Sequence, residues 1–357
     1  MNRKERRRQQ KLAAHAAAPP RPPAQPREAA RPAALSVMLL RHAGQEPMAA
    51  IEPAALEIVA AQASTGSVDA AFAKLRREDL LRQQLATIQR ALEANPRSVE
   101  LLLTLAKLFR HMDRPGDALA AYRRVLEVDP SRQDVQHMIA ALSGAGAAPA
   151  RAADAYVAEE FDSFAARYDE VLVGWLEYRG PEILHRAVTA VLGPNPPPQD
   201  MIDLGCGTGL AARVFRSMAR RLDGVDLSAK MVEKARGRGL YDALAVEEIG
   251  RYLARAPKAY TLAIAADVLI YFGDLASVFA TVAGALKPHG LFAFTVEVGS
   301  GAPYRLTQSG RYAHEDAYVR AAAADAGFEV VRATDETVRK EKLQPVHSRC
   351  YVLRLKR

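Results

Sequence analysis

Residues 201–209 read Met-Ile-Asp-Leu-Gly-Cys-Gly-Thr-Gly, an apolar run that ends in an acid and then three alternating glycines, Gly205, Gly207 and Gly209. A short apolar run bounded by glycines reads as a buried strand. The Leu210–Met218 stretch behind it has helical spacing, so the segment predicts a strand–turn–helix unit. Glycines let the turn's backbone approach a ligand where any Cβ would collide, and a helix opened by the turn would aim its first amides at that ligand. Dinucleotide sites use such a unit with the spacing G-x-G-x-x-G and a pyrophosphate over the helix N-terminus. The spacing here is G-x-G-x-G behind Asp203.

From about residue 155 the chain alternates helix and strand, the pattern of a parallel α/β sheet. Helices are expected over 157–176 and 181–192, ahead of a proline-rich loop at 194–198. Strands follow at 200–204, 221–226, 243–246, 260–266 and 291–297, with helices 209–218, 228–237, 247–255 and 274–286 between them. A last helix over 314–326, a strand at 328–333 and an edge strand from Cys350 complete seven strands.

At 357 residues the prior is about two domains. The front half has its own period: Asn95-Pro96 and Asp129-Pro130 stand 34 residues apart, each closing an amphipathic helix. Leu102, Leu105 and Phe109 make one helix face, Ala118 lets a second helix approach closely, and Gly116 falls in the turn. With Ala106, Tyr122 and Val125 at the remaining packing positions, the unit resembles the tetratricopeptide (TPR) repeat. The resemblance implies stacked helix pairs that bind a partner or pack, and no ionisable cluster in them suggests catalysis. The expected organisation is a disordered tail over 1–45, TPR-like helices over 50–143, a linker over 144–154 and an α/β domain over 155–357.

Charge is concentrated at the start. Residues 1–45 hold ten Lys or Arg against Glu5 and Glu28, and the remainder carries 39 of each sign. A neutral body gives no support to a nucleic-acid-binding catalytic surface. The basic start is not followed by an apolar stretch of signal-peptide length, and no segment has the length of a membrane span. Two cysteines, Cys206 and Cys350, have no metal-ligand spacing and fit a reducing compartment, so a cytoplasmic location and no metal are expected. Cys206 reads as a small hydrophobe within the turn.

The hydrophobic-hydrophobic-Asp-hydrophobic-Gly-x-Gly-x-Gly pattern at 201–209 resembles motif I of the class I S-adenosylmethionine (SAM)-dependent methyltransferases. Chemistry accompanies the match, because SAM carries an ammonium and a sulfonium and no phosphate, so an acid belongs at the strand end. Leu222-Asp-Gly-Val-Asp226-Leu227 resembles their motif II, in which the strand-end acid accepts two hydrogen bonds from the ribose diol. The resemblance places an acid after the third strand for the adenine amino group, at Glu248 with Ile249 or else at Glu247. It places the transferred methyl over Asp267-Val268, where neither the Asn/Asp-Pro-Pro-aromatic of amino-methylating nucleic-acid enzymes nor the Pro-Cys of cytosine enzymes stands. The segments Glu160–Asp169, Tyr178-Arg179-Gly-Pro181 and Ser309–His314 look like bacterial predicted methyltransferases with TPR repeats ahead of the catalytic domain.

The resemblance implies a Rossmann-like seven-stranded methyltransferase sheet behind the helical module. It implies SAM as cofactor, held by Asp203, Gly205, Cys206, Gly207, Gly209, Asp226, Leu227, Met231, Glu248, Ile249, Asp267 and Val268. A helix carrying Phe161, Phe164 and Tyr168 is a candidate lid; Tyr271, His314, Glu297 and Arg311 are candidates for the acceptor side, with Tyr271 and His314 the catalytic ones. The acceptor is expected to be a small molecule or protein. A non-catalytic TPR scaffold with a degenerate SAM fold and a nicotinamide-dependent oxidoreductase are the competing readings.

Overall fold

Met201 and Ile202 are adjacent and both fully buried, on opposite faces of a sheet covered by helices on both sides. That double burial is why the run has no polar alternation. The computed structural model describes residues 68–144, 149–170, 176–341 and 344–357, with side chains from residue 78 and without those of residues 164 and 167. The tail expected over 1–45, the start of the helical module, residues 145–148 of the linker and the end of the helix expected over 157–176 lie outside the described residues. The chain divides into two compact units, Met1–Lys74 and Leu75–Arg357. Only residues 68–74 of the first are described, as part of helix α1, Val68–Ala94, and all other described residues belong to the second.

Helices α2 (Val99–His111), α3 (Pro115–Val128) and α4 (Gln133–Ser143) pack side by side. The Ser98 hydroxyl caps α2 by accepting the Leu101 amide, and Pro115 opens α3 where no amide is missed. Leu102, Leu105, Ala106, Phe109, Ala118, Tyr122 and Val125 are all buried in one cluster with Val135 and Met138 of α4. The second unit takes in these helices together with the sheet. The 149–154 segment, expected as a linker, is pinned down: Ala150 O accepts the amides of Gly273 and Asp274 at 2.8 Å, the Ala152 amide reaches Tyr271 O at 2.9 Å, and the Tyr312 hydroxyl donates to Pro149 O at 2.8 Å. Its composition is that of a linker, but its backbone groups find partners that no local pattern announces.

Helices α5 (Asp154–Phe164) and α6 (Gly180–Leu192) lead into the sheet. The strands are β1 (Gln199–Leu204), β2 (Ala219–Asp226), β3 (Ala243–Val246), β4 (Tyr260–Ala265), β5 (Leu286–Val298), β6 (Tyr304–Leu306), β7 (Tyr312–His314), β8 (Phe328–Glu341) and β9 (Gln344–Leu355). Between them lie α7 (Leu210–Phe215), α8 (Ala229–Gly237), α9 (Ile249–Ala254), α10 (Ala276–Ala285) and α11 (Asp316–Asp325). Strands β3, β2, β1, β4 and β5 run parallel in that order, and β9 and β8 continue antiparallel beyond β5. Order reverses between β1 and β4, so a crevice opens at their carboxyl ends, where open α/β sheets bind ligands.

The described sheet has nine strands, not seven. Glu297 and Val298 outrun β4 and pair with Ala313 and His314 of β7, and a β6–β7 hairpin occupies the vacated edge. Three-residue strands carry too little periodicity to read, and the β5 overhang that pairs them is a tertiary feature. The β8–β9 pair is also longer than expected, because Thr334–Glu341 is charge-rich yet finds an antiparallel partner in β9, with a register shift between Thr337 and Lys340.

Candidate functional site

The crevice holds a cavity that opens to solvent, at the carboxyl ends where open α/β sheets bind ligands. Each strand end contributes: Gly205 and Gly207 after β1, Asp226 and Leu227 after β2, Glu248 and Ile249 after β3, and Ala266, Asp267 and Val268 after β4. Tyr271 and Phe272 extend the last wall, and Val157 and Phe161 of α5 with Tyr168 form a cover. Arg151, Ala152 and Asp154 close one side.

The glycine turn makes room; its amides are turned inward. The Gly205 and Cys206 amides donate to Val225 O at 2.8 and 3.0 Å, Gly207 N to Asp226 Oδ2 at 2.8 Å and Gly209 N to Cys206 O at 2.9 Å. These four turn amides are used within the protein, and the helix that the turn opens, α7, is six residues long. Gly205 has φ 65°, and a Cβ there would lie 2.6 Å from a Val268 methyl. Gly207 has φ 53° and opens on the cavity opposite Tyr168.

Asp226 ends β2 at the cavity wall with each oxygen accepting one backbone amide, Gly207 on Oδ2 and Ser228 on Oδ1, both 2.8 Å. A carboxylate oxygen has two lone pairs, so both can still accept from a diol. Burial raises its pKa, and the amides of Ser228, Gly207 and Leu227 oppose the shift. Glu248 caps α9 through the Arg251 amide at 2.9 Å and faces the cavity, whereas Glu247 turns outward to Arg255. Asp267 sits at φ 62°, its amide on Thr295 Oγ1 at 2.9 Å and its carboxylate paired with the buried Arg339 of β8. Arg339 also reaches Glu297, which Arg311 bridges at 3.0 Å, so the Asp267 carboxylate is held from behind by a buried ion-pair network. Phe161 meets Tyr168 and Tyr271 edge-on, at centroid distances of 6.0 and 5.7 Å.

Of the expected cofactor residues, Gly205, Gly207, Asp226, Leu227, Glu248, Ile249, Asp267 and Val268 come together around the cavity. Asp203, Cys206, Gly209 and Met231 do not line it. Asp203 is 1 % exposed beneath the turn, accepting from the Tyr241 hydroxyl at 2.6 Å. Cys206 is buried with its thiol pushed well up, Gly209 backs onto Tyr241 and Arg238, and Met231 is buried in α8. Tyr271 lines the cavity and His314 does not: His314 is 1 % exposed, Nε2 lies 2.8 Å from Phe272 O, and burial lowers its pKa to about 4. It props the loop after β4 from behind. Glu297 and Arg311 stand in the ion-pair network rather than at the cavity wall, and the Phe164 side chain lies outside the described residues. Arg151, Asp154 and Arg339 were not legible, because their partners are Glu248, Arg251 and Asp267, far away in the chain.

Residues 202–294 match the protein family described as a methyltransferase domain. This stretch of the chain is similar to a methyltransferase domain. It carries the four carboxyl ends that build the cavity, apart from the α5 cover and the Arg151 segment. The chain is also 37% identical over 100 residues to human methyltransferase-like protein 27, a match over 28% of this chain and 40% of that protein's length. Two similar solved structures are the Burkholderia thailandensis 1,6-didemethyltoxoflavin-N1-methyltransferase with bound S-adenosylhomocysteine and the Synechocystis magnesium protoporphyrin IX methyltransferase with bound SAM. They are each 20% identical, with TM-scores of 0.46 and 0.43, and match 59% and 56% of this chain against 94% and 96% of theirs. The lining fits SAM as cofactor: the Asp226 and Glu248 carboxylates can accept from hydroxyl and amino groups, apolar Leu227 and Ile249 lie beside them, and Gly205 and Gly207 present no Cβ.

Proposed function

We propose that the protein transfers the methyl group of SAM to a small-molecule or protein acceptor, with the α1–α4 helices acting as a TPR-like module that recruits a partner or presents the substrate. The observation that carries this reading is the convergence of Asp226, Glu248 and the Gly205–Gly207 turn on one cavity inside a methyltransferase domain. Bound SAM supplies a methyl carbon activated by its sulfonium: a lone pair of the acceptor forms the new bond, the carbon–sulfur pair returns to sulfur, and the acceptor sheds a proton. The protein's part is to hold donor and acceptor within roughly 3 Å and to exclude water. Asp226 would hold the ribose and Glu248 the base, and the Phe161–Tyr168–Tyr271 cluster would cover the reacting centre. A neutral body beyond residue 45 favours an acceptor other than nucleic acid. No helix of the described residues is long and apolar enough to cross a membrane.

Calorimetry of the whole chain with SAM and with S-adenosylhomocysteine tests the donor side; absence of heat with both refutes it. Methyl-labelled SAM incubated with a cell extract, then fractionated into proteins, nucleic acids and metabolites, tests the acceptor side. Cofactor binding without label transfer to any fraction supports the non-catalytic scaffold instead.

A further inference from the structure

Glu248 does not face the cavity unsupported. Arg151, 97 residues earlier in the chain, donates from Nη1 to Glu248 Oε1 at 3.0 Å and from Nη2 to Asp154 Oδ1 at 2.6 Å. Its side chain is 38% exposed and that of Glu248 14%, so the pair closes the rim of the cavity and stands partly out of water. The Arg151 backbone is fixed by its bridge to Phe272 in the loop after β4 and by the neighbouring Ala152 amide on Tyr271 O, and the guanidinium lies 5.8 Å from the centroid of the Phe272 ring. Glu248 Oε2 meanwhile accepts the Arg251 amide. With both oxygens anchored, the carboxylate cannot rotate freely, and it keeps unused lone pairs. An ionised carboxylate only accepts hydrogen bonds, so it recognises a ligand N–H and repels a carbonyl oxygen.

We infer that Arg151 is a positioning residue of the cofactor site, holding the Glu248 carboxylate so that the cavity accepts a purine bearing a 6-amino group and rejects its 6-oxo counterpart. This rests on reading the cavity as a SAM site. The segment that joins the helices to the sheet is thereby part of the cofactor wall. Burial raises the Glu248 pKa, but the Gly250 and Arg251 amides and Arg151 outweigh it and leave the carboxyl below its ordinary value, consistent with an acceptor-only group at neutral pH.

The test is calorimetry of the full chain with S-adenosylhomocysteine and with S-inosylhomocysteine, its 6-oxo analogue, for wild type, Arg151→Met, Arg151→Lys and Glu248→Gln. Charged hydrogen bonds of this kind translate to about a tenfold affinity change. Wild type is expected to prefer the amino form by at least about tenfold. Arg151→Met is expected to weaken S-adenosylhomocysteine about tenfold while barely changing the oxo form, and Arg151→Lys to recover part of the loss. Glu248→Gln, whose side chain can also donate, is expected to bind the two forms alike. An Arg151→Met protein that binds both like wild type, or weakens both equally, overturns the inference; a purely structural role in capping α9 would change the melting temperature and leave the ratio intact. If Arg151→Met melts well below wild type, the amino-to-oxo ratio of Arg151→Lys decides in its place. Wild-type protein that binds neither form overturns the reading of the cavity, and this inference falls with it.

Discussion

Asp203 has one side-chain donor, the Tyr241 hydroxyl, and lies beneath the glycine turn with 1 % of its surface exposed. Burial pushes its carboxyl up to about 7, with the Tyr241 bond opposing and the Asp226 charge adding. Between the ordinary value near 3.9 and about 7, the folded protein holds a proton that the unfolded chain has lost, so stability falls as pH rises through that window. Asp203→Asn removes the buried charge and keeps an oxygen for Tyr241. It is expected to stabilise the protein at pH 8 by an amount on the order of 3 kcal/mol, with little effect near pH 4, measured by calorimetric melting; equal melting points at pH 8 would contradict this. His314 acts with the opposite sign. Its folded pKa of about 4 lies below the ordinary 6.5, so stability present above pH 6.5 is lost as pH falls toward 4. His314→Gln, which can still donate to Phe272 O, is expected to flatten that acid limb by roughly 3 kcal/mol, read from urea unfolding at pH 7 and pH 4.5. An unchanged limb in the variant would rule out this histidine as its source.

Two elements define the cavity, the turn after β1 and the covering helix α5. At Gly205 two penalties coincide, a left-handed backbone and a Cβ position 2.6 Å from Val268. Gly205→Ala is expected to destabilise by about 2–4 kcal/mol, of which the backbone accounts for roughly 1–2 kcal/mol. Adding Val268→Ala shortens the obstructing side chain and should restore only the steric part, which a double-mutant cycle by urea denaturation measures. Purely additive losses would place the clash elsewhere. Helix α5 is held at its carboxyl end, Asp162 accepting from Ser228 and from the Lys230 amide, and Lys234 donating to Ala166 O just beyond it at 3.0 Å. Phe161→Ala removes both edge contacts to Tyr168 and Tyr271 from this held helix. Dissociation of S-adenosylhomocysteine in stopped flow is then expected to quicken several-fold with the melting temperature nearly unchanged; an unaltered off-rate would show that α5 packs without covering. The main strands and their helices were legible from period and glycine punctuation; most observed bounds lie within two residues of expectation, but β5 starts five residues earlier and α7 ends three residues sooner. The β6–β7 hairpin and the outer half of β8 were not, because three residues carry no period and charged residues carry no strand signal until a partner strand takes up their backbone groups.

The helices α2–α4 and the sheet form one unit through a definite set of contacts. The Arg110 guanidinium donates to Ser309 O at 3.0 Å, His137 Nε2 pairs with Gly310 O at 2.8 Å, and Tyr156 and Leu306 pack on the helical cluster. The Lys107–Glu160 pair across the same boundary is half exposed and contributes little. Removing residues 1–143 uncovers the apolar Tyr156–Leu306 face and orphans the β6–β7 turn. The shortened chain is therefore expected to melt several degrees lower than the full chain. Identical melting curves would mean that the helices ride on the sheet without supporting it.

Short-range information in the chain was enough for the strand–turn–helix at 201–218, the acid ending β2 and the packing faces of α2 and α3, because each depends on residue spacing within one or two turns of chain. Only the tertiary structure decided which acids face the cavity. Asp203 and Asp226 end neighbouring strands with similar sequence surroundings, yet one lies under the turn with Tyr241 and the other at the cavity wall. Glu248 and Glu247 are adjacent, and they part because Arg151 draws one to the rim while Arg255 draws the other outward. A carboxylate's direction is set by the cations and amides around it, and here those come from segments that meet only when the sheet has formed.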